Sequence, residues 1–260
     1  MTRYPITILL CTALACAHAQ PSITHHWTVS HGAIVRGDST TRTVALVFTG
    51  DEFGDGLPAI AKALHKHHVT GSFFFTGRFY RNSAFQPTIK QLYRQHNYLG
   101  PHSNAHLLYA DWTHRDSTLV TFDSLRLDLQ KDLAAMLALG IDTTDAHYFI
   151  PPYEWWNDTI AAWCHTVGWP LVNFTPGIRT NADYTYPEMG RSYLSSDAIL
   201  QALKEFSSAR PSGLDGAIIL IHAGADPRRT DKLYDRLDQL LSWLQSKGYT
   251  CLPITRLLSR

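Results

Sequence analysis

The chain has 260 residues, a formal net charge of +1, 45% hydrophobic and 17% charged residues. That balance excludes a disordered or fibrous chain, and with no Lys/Arg run it excludes nucleic acid as the expected partner. The length suits one large α/β domain, and no break in composition divides it. At the start, Arg3 leads into an apolar stretch from Ile6 to Cys16, and Ala17-His18-Ala19 puts small residues at the positions a signal peptidase reads. Residues 1–19 are therefore expected to be an export signal, which sends the protein to the periplasm or outside the cell. A lipoprotein signal ending at Cys16 is the second reading, disfavoured because Ala13 stands where Leu is usual. The stretch is too short to span a bilayer and no later segment approaches that length, so no transmembrane anchor is expected. Beyond it only Cys164 and Cys251 remain, either paired or as two buried thiols.

After a lead over residues 20–42, Thr43 to Phe48 reads as a buried strand, ending at Thr49-Gly50 and followed by Asp51-Glu52. Leu57 to His68 has helical spacing, and Gly71 to Gly77 reads as the next strand. A helix near 87–95 leads to Tyr98-Leu99, a strand that opens into Gly100-Pro101-His102-Ser103-Asn104-Ala105-His106. A longer helix spans about 122–139 and stops at Gly140. Further on, His147 to Pro151 is a strand, 159–167 a helix, and Leu171 to Phe174 a strand. A polar loop precedes a helix near 196–206 and the strand Ala217 to Ile221, which delivers His222. An amphipathic helix from 230 to 247 stops at Gly248, and 251–254 is the last strand.

Strand followed by helix, repeated along residues 43–260, predicts parallel strands with helical crossovers, as a (β/α) barrel or an open doubly wound sheet. In such barrels, working residues gather at the carboxyl ends of the strands. Asp51 and Glu52, His102 and His106, Pro151 to Tyr153, and His222 all fall there. Histidines at i and i+4 reach one metal ion if the chain turns helical after His102, though 14 His in the chain make such a spacing easy to meet by chance. Seven Trp and twelve Tyr suit a sugar-binding cleft, although most are expected to be packing.

The motifs resemble those of the polysaccharide deacetylase family, carbohydrate esterase family 4, over about Thr43 to Ile254. The resemblance implies a distorted seven-stranded (β/α) barrel in a single domain. It also implies a metal-dependent hydrolase that removes acetyl groups from a carbohydrate. His102-Ser103-Asn104-Ala105-His106 matches the family's His-Ser/Thr-x-x-His in full, implying both imidazoles as ligands. Thr49-Gly50-Asp51-Glu52 corresponds to Thr-Phe-Asp-Asp, implying Asp51 as base and Glu52 as ligand; aligned without a gap, Thr49 and Gly50 would take the acidic positions instead. Ile150-Pro151-Pro152-Tyr153 corresponds to Arg-x-Pro-Tyr, and Leu220-Ile221-His222 to Leu-x-His, which makes His222 the acid and the Tyr153 N–H an oxyanion donor.

Ile150 replaces the Arg that holds the base, so another cation, Arg179 for one, would have to substitute. Asp183 and Asp226 are both open as the partner of His222. Pro152, Glu154, Trp155, Arg179 and Asp183 are the expected substrate contacts. One divalent ion is implied, zinc first, with cobalt or nickel as alternatives. An acetylated carbohydrate is the substrate and a monomer the expected state. The competing reading is a glycan-binding barrel that has lost turnover.

Overall fold

The computed structural model describes residues 26–259, so the expected export signal lies outside the described residues. A seven-stranded sheet runs in the order β1-β2-β6-β3-β4-β5, with β7 also on β3. The strands are β1 (Thr28–Ser30), β2 (Ala33–Arg36), β3 (Thr43–Gly50), β4 (Ser72–Phe75), β5 (Tyr98–Pro101), β6 (Ala217–His222) and β7 (Thr250–Cys251). With the helices packed outside and the sheet curling back on itself, the fold is a distorted (β/α) barrel.

The central strand is β3, and its sequence explains why. Val44, Leu46 and Phe48 enter the core shared with the outer helices, whereas Ala45 and Val47 enter the barrel interior. Apolar residues on both faces fit a strand covered on both sides. Each of the fully buried Val, Leu and Phe side chains among them contributes about 1.5–3 kcal/mol. Parallel ladders join β3 to β4 and to β6, with Gly50 opposite Phe75 and Thr49 opposite His222. The ends of β3 and β6, which carry two of the sequence motifs, are thereby brought side by side, and β4 separates them from the end of β5, which leads to the histidine motif.

The second half closes differently. The segments at 147–151 and 171–174, expected as strands, pair only through isolated parallel bridges, Phe149 with Leu171 and Val172 with Ile34. Pro151 and Pro170 stand at their edges and have no N–H to extend a ladder. Residues 28–36, expected as a lead outside the barrel, instead form β1 and β2 and pair with β6 at Arg36 and Ala217. The expected last strand is shortened to Thr250–Cys251, because Pro253 ends it and caps the helix α8 (Ile254–Leu257). Ile254, Leu257 and Leu258 then fill the barrel interior from that end.

The helices α1 (Leu57–Lys66), α3 (Gln86–Arg94), α4 (Phe122–Ala138), α5 (Asp158–Thr166) and α6 (Ser196–Ala209) fall where periodicity places them. The helix expected over 230–247 is instead a 3-10 turn, Leu233–Arg236, followed by α7 (Leu237–Ser246). One short helix, α2 (Gly77–Arg81), has no sequence signal beyond Thr76, whose hydroxyl accepts from the Phe79 N–H at 3.2 Å as an N-cap. Cys164 and Cys251 are both free thiols. No helix among the described residues is long and apolar enough to cross a membrane.

Candidate active site

The segment after β5 carries both motif histidines, and it is a loop rather than the helix that would make i and i+4 neighbours. Ser103 and His106 take left-handed φ values of 74° and 54°, uncommon for non-glycine residues. Two acids on the buried face of α4 hold the loop in this shape. Asp128 accepts from the Ser103 hydroxyl at 2.6 Å, the Asn104 N–H at 2.8 Å and the Ala105 N–H at 3.1 Å. Asp132 accepts from the His102 N–H at 2.9 Å. The outcome is still a histidine pair, with ring centroids 5.1 Å apart.

His102 is buried, and its Nδ1–H donates to the Ile150 carbonyl at 2.8 Å. That bond fixes the ring and leaves Nε2 with its lone pair toward the site, the way ligating imidazoles are commonly oriented. Burial holds His102 and His106 neutral, with pKa values pushed down to about 3 and about 4. Ile150 itself points into the barrel core, so the third motif supplies a carbonyl here and no cation.

The cation comes from α2. Arg78 grips Asp51 with Nε and a terminal nitrogen, one on each carboxylate oxygen. Burial alone would raise the Asp51 pKa, but the Arg78 fork and the His106 ring outweigh it and hold the carboxyl below its ordinary value. Arg179, the cation expected for this task, is exposed at the start of the 3-10 turn Thr180–Tyr184. Asp51 Oδ2 also stands 3.6 Å from His106 Nδ1. Glu52, expected as the ligand, is exposed and is not brought to the histidines. Thr49 and Gly50 therefore end β3 where the acids of the motif would stand in a gapless alignment. The Thr49 hydroxyl is buried there without a hydrogen-bond partner of normal geometry.

Across the site, the turn Pro152–Glu154 carries Tyr153 and Glu154 with left-handed φ values of 59° and 52°. Adjacent strained residues of this kind persist only where the surroundings enforce them. The Asn173 side-chain amide provides one such constraint, donating to the Glu154 carbonyl at 2.8 Å. The Glu154 carboxyl points inward, with Oε1 3.9 Å from His102 Nε2. Burial raises its pKa, opposed by the nearby His222 and by the Thr49 hydroxyl.

His222, at the end of β6, settles the choice of acidic partner. Asp183 accepts from its N–H at 2.8 Å and from Nδ1–H at 2.6 Å, whereas Asp226 is taken by Arg228. Burial alone would lower the His222 pKa, but Asp183 and then Glu154 raise it to about 9, so the ring is protonated at neutral pH.

Aromatic rings rim the cleft. Tyr153 lies 4.4 Å from the His106 ring and edge-on to Trp112 at 5.8 Å, and Trp112 stacks on Trp155 at 5.4 Å. Arg115 sits 4.2 Å over the Trp155 ring. Tyr184 lies edge-on to His222 at 5.7 Å on the opposite side. Pro152 is buried and stiffens the turn beneath Tyr153.

Arg78, Trp112, Asp128 and Asp132 were not singled out by sequence. The two aspartates had a signal, since they fall among Leu125, Leu129 and Met136 on the buried face of α4. Arg78 had none, because five residues are too few for a helical pattern.

In kind, two neutral imidazoles flanked by carboxylates fit a divalent cation. In placement, no three His, Cys, Asp or Glu side chains among the described residues are grouped so as to hold one as they stand.

Known proteins share the fold and the family of this chain. The peptidoglycan-N-acetylmuramic acid deacetylase PdaA of Bacillus subtilis is 24% identical over 230 residues, 88% of this chain and 76% of that protein. The solved structure of PdaA superposes with a TM-score of 0.67 at 21% identity, covering 88% of this chain and 86% of that one. A CE4 family pseudoenzyme from Bacillus anthracis, BA3943, superposes equally well, with a TM-score of 0.67 at 22% identity, covering 88% of this chain and 70% of that one. The sequence model described as polysaccharide deacetylase matches residues 36–172, more than half of the chain. With the matched residues spanning β3, the histidine loop and the Pro152 turn, the chain belongs to the polysaccharide deacetylase family.

Proposed function

We propose that this protein is an exported, metal-dependent deacetylase acting on a carbohydrate polymer or oligosaccharide. The observation that carries the reading is the convergence, in one aromatic-rimmed cleft, of a neutral histidine pair and a protonated His222 backed by Asp183. A divalent ion, zinc first, would be held by His102, His106 and the Asp51 carboxylate in place of Glu52, and would supply Lewis acidity toward water and the acetyl carbonyl. Loading it requires Asp51 or the His106 ring to turn from the positions seen, since the set is open as it stands.

The remaining roles belong to the chain itself. His222, held through Nδ1 by Asp183, presents Nε2–H to the departing sugar nitrogen or oxygen. The Tyr153 backbone N–H, set on the Pro151-Pro152 turn, would face the developing oxyanion. Trp112 and Tyr153 are 55% and 46% exposed, an apolar rim on which a pyranose ring can stack.

Acetate release from acetylated xylan, chitooligosaccharides or peptidoglycan fragments tests the proposal, with elemental analysis of the wild type beside His106→Ala. Release that depends on metal, and a metal content that falls in the variant, is the expected result. A second reading has a specific observation behind it. Thr49 and Gly50 at the end of β3, with Asp51 gripped by Arg78, suit a barrel that binds glycan without turning it over. Glycan binding with no acetate release from any of the three substrates would decide for that reading.

A further inference from the structure

Resting on the deacetylase reading above, we infer that the general base of this site is Glu154, a carboxylate from the turn after residue 150, and not an acid from the end of β3. The end of β3 offers only the Thr49 hydroxyl and Gly50, with Thr49 opposite His222 in the parallel ladder. Asp51, one residue further on, spends both carboxylate oxygens on the Arg78 fork. A carboxylate so committed is a poor proton acceptor.

Glu154 is placed differently. Its side chain is 12% exposed, enters the cleft from the side facing β3, and has Oε1 3.9 Å from His102 Nε2. No Lys or Arg holds it; the groups that act on it are the rings of His102 and His222, the Asp183 carboxylate and the Thr49 hydroxyl. Thr49 is 1% exposed, and its hydroxyl faces the Glu154 carboxyl without reaching a hydrogen bond of normal geometry. A water molecule between such groups would satisfy them. The backbone is forced to deliver Glu154 there. Tyr153 and Glu154 are both left-handed, and Asn173 pins the Glu154 carbonyl. Strain of this kind is kept where a side chain must be aimed.

The water oxygen bonds to the acetyl carbonyl carbon while one of its protons passes to Glu154 Oε1. The bond from that carbon to the sugar nitrogen or oxygen then breaks, its electron pair leaving with the sugar, which takes the proton from His222. Glu154 returns its proton to His222 through solvent, and the acetyl group departs as acetic acid, whose remaining proton, the second from the water, is lost to solvent to give acetate.

The test compares Glu154→Gln, Glu154→Asp, Thr49→Val and Asp51→Asn with the wild type in acetate release, metal content and glycan affinity. Glu154→Gln is expected to lower kcat by about 10²–10⁴-fold, with metal content and glycan affinity unchanged. Glu154→Asp, shorter by one methylene, should retain part of the activity, and Thr49→Val should lower kcat by a smaller factor at constant metal content. Asp51→Asn should lose metal. Glu154→Gln activity within threefold of wild type overturns the inference, and so does a loss of metal in step with activity, which would make Glu154 a ligand. If Glu154→Gln does not fold, Glu154→Asp decides: full activity overturns the assignment and partial activity at full metal content supports it. A wild type that releases no acetate sinks the deacetylase reading itself, and this inference with it.

Discussion

The two halves of this barrel are built by different means. From β6 through β3 and β4 to β5, continuous parallel ladders tie each strand to the next. From Phe149 through Val172 to Ile34 there are only isolated bridges, and side chains do the joining. The Tyr98 hydroxyl donates to the Tyr148 carbonyl and accepts from the Tyr148 N–H, the Asn173 amide holds the Glu154 carbonyl, and the Trp156 indole donates to the His31 carbonyl. Thr49, His102 and His222 belong to the laddered half, and Tyr153 and Glu154 to the bridged half. A ladder fixes direction but allows little deformation, so it suits histidines whose lone pairs must point one way. A bridged segment can take the left-handed turn that a ladder would forbid.

If the laddered half carries the rigid chemistry, its histidine at the end of β6 should be the most costly to remove. His222→Gln is expected to lower kcat by about 10²–10⁴-fold with little change in KM, measured by acetate release. The same residue gives a pH test. His222 acts when protonated and its pKa is about 9, so activity should fall as pH rises through about 9. In Asp183→Asn the main raising partner is gone and burial dominates, so that limb should move to lower pH. The sign for stability agrees. Because folding raises the pKa from 6.5, the His222–Asp183 pair contributes fully below about 6.5 and its contribution is lost as pH rises through about 9.

Next in size is the clamp on the histidine loop. Asp128→Ala removes an acceptor shared by the Ser103 hydroxyl and the Asn104 and Ala105 N–H groups, and leaves a cavity in α4. A loss of about 3 kcal/mol in denaturant unfolding is expected, and activity should fall as well because His106 loses its placement. A retained melting temperature would mean that the loop keeps its left-handed shape without the clamp.

The bridged half should yield to a gentler change. Asn173→Ala deletes the bond to the Glu154 carbonyl and should cost about 1–2 kcal/mol. Hydrogen exchange should quicken over residues 151–156 and stay unchanged in β3 and β6, where ladders protect the amides. Uniform acceleration would show that the halves open together.

The smallest effect is expected at the rim. Trp112 is 55% exposed, so Trp112→Ala should leave stability within about 0.5 kcal/mol while raising KM for a glycan about tenfold at unchanged kcat. An unchanged KM would remove Trp112 from the substrate path.

The sequence alone determined the alternation of parallel strands and helices, the strands β3, β4, β5 and β6, five of the helices and the histidines that end up in the cleft, while the barrel rather than an open sheet was implied only by the resemblance of its motifs. All of these rest on local signals: apolar runs, helical spacing, and motif residues just past strand ends. Tertiary structure decided which charges meet. Asp51 finds Arg78 across 27 residues, His222 takes Asp183 across 39, and Glu154 approaches His102 from a turn more than 45 positions away. It also decided that residues 147–151 and 171–174 pair by bridges and that the early segment 28–36 completes the sheet. The physical reason is common to all of these. Periodicity reports the face an element buries, whereas ion pairs and strand closure depend on where separate elements come to rest, and no window of local sequence contains that distance.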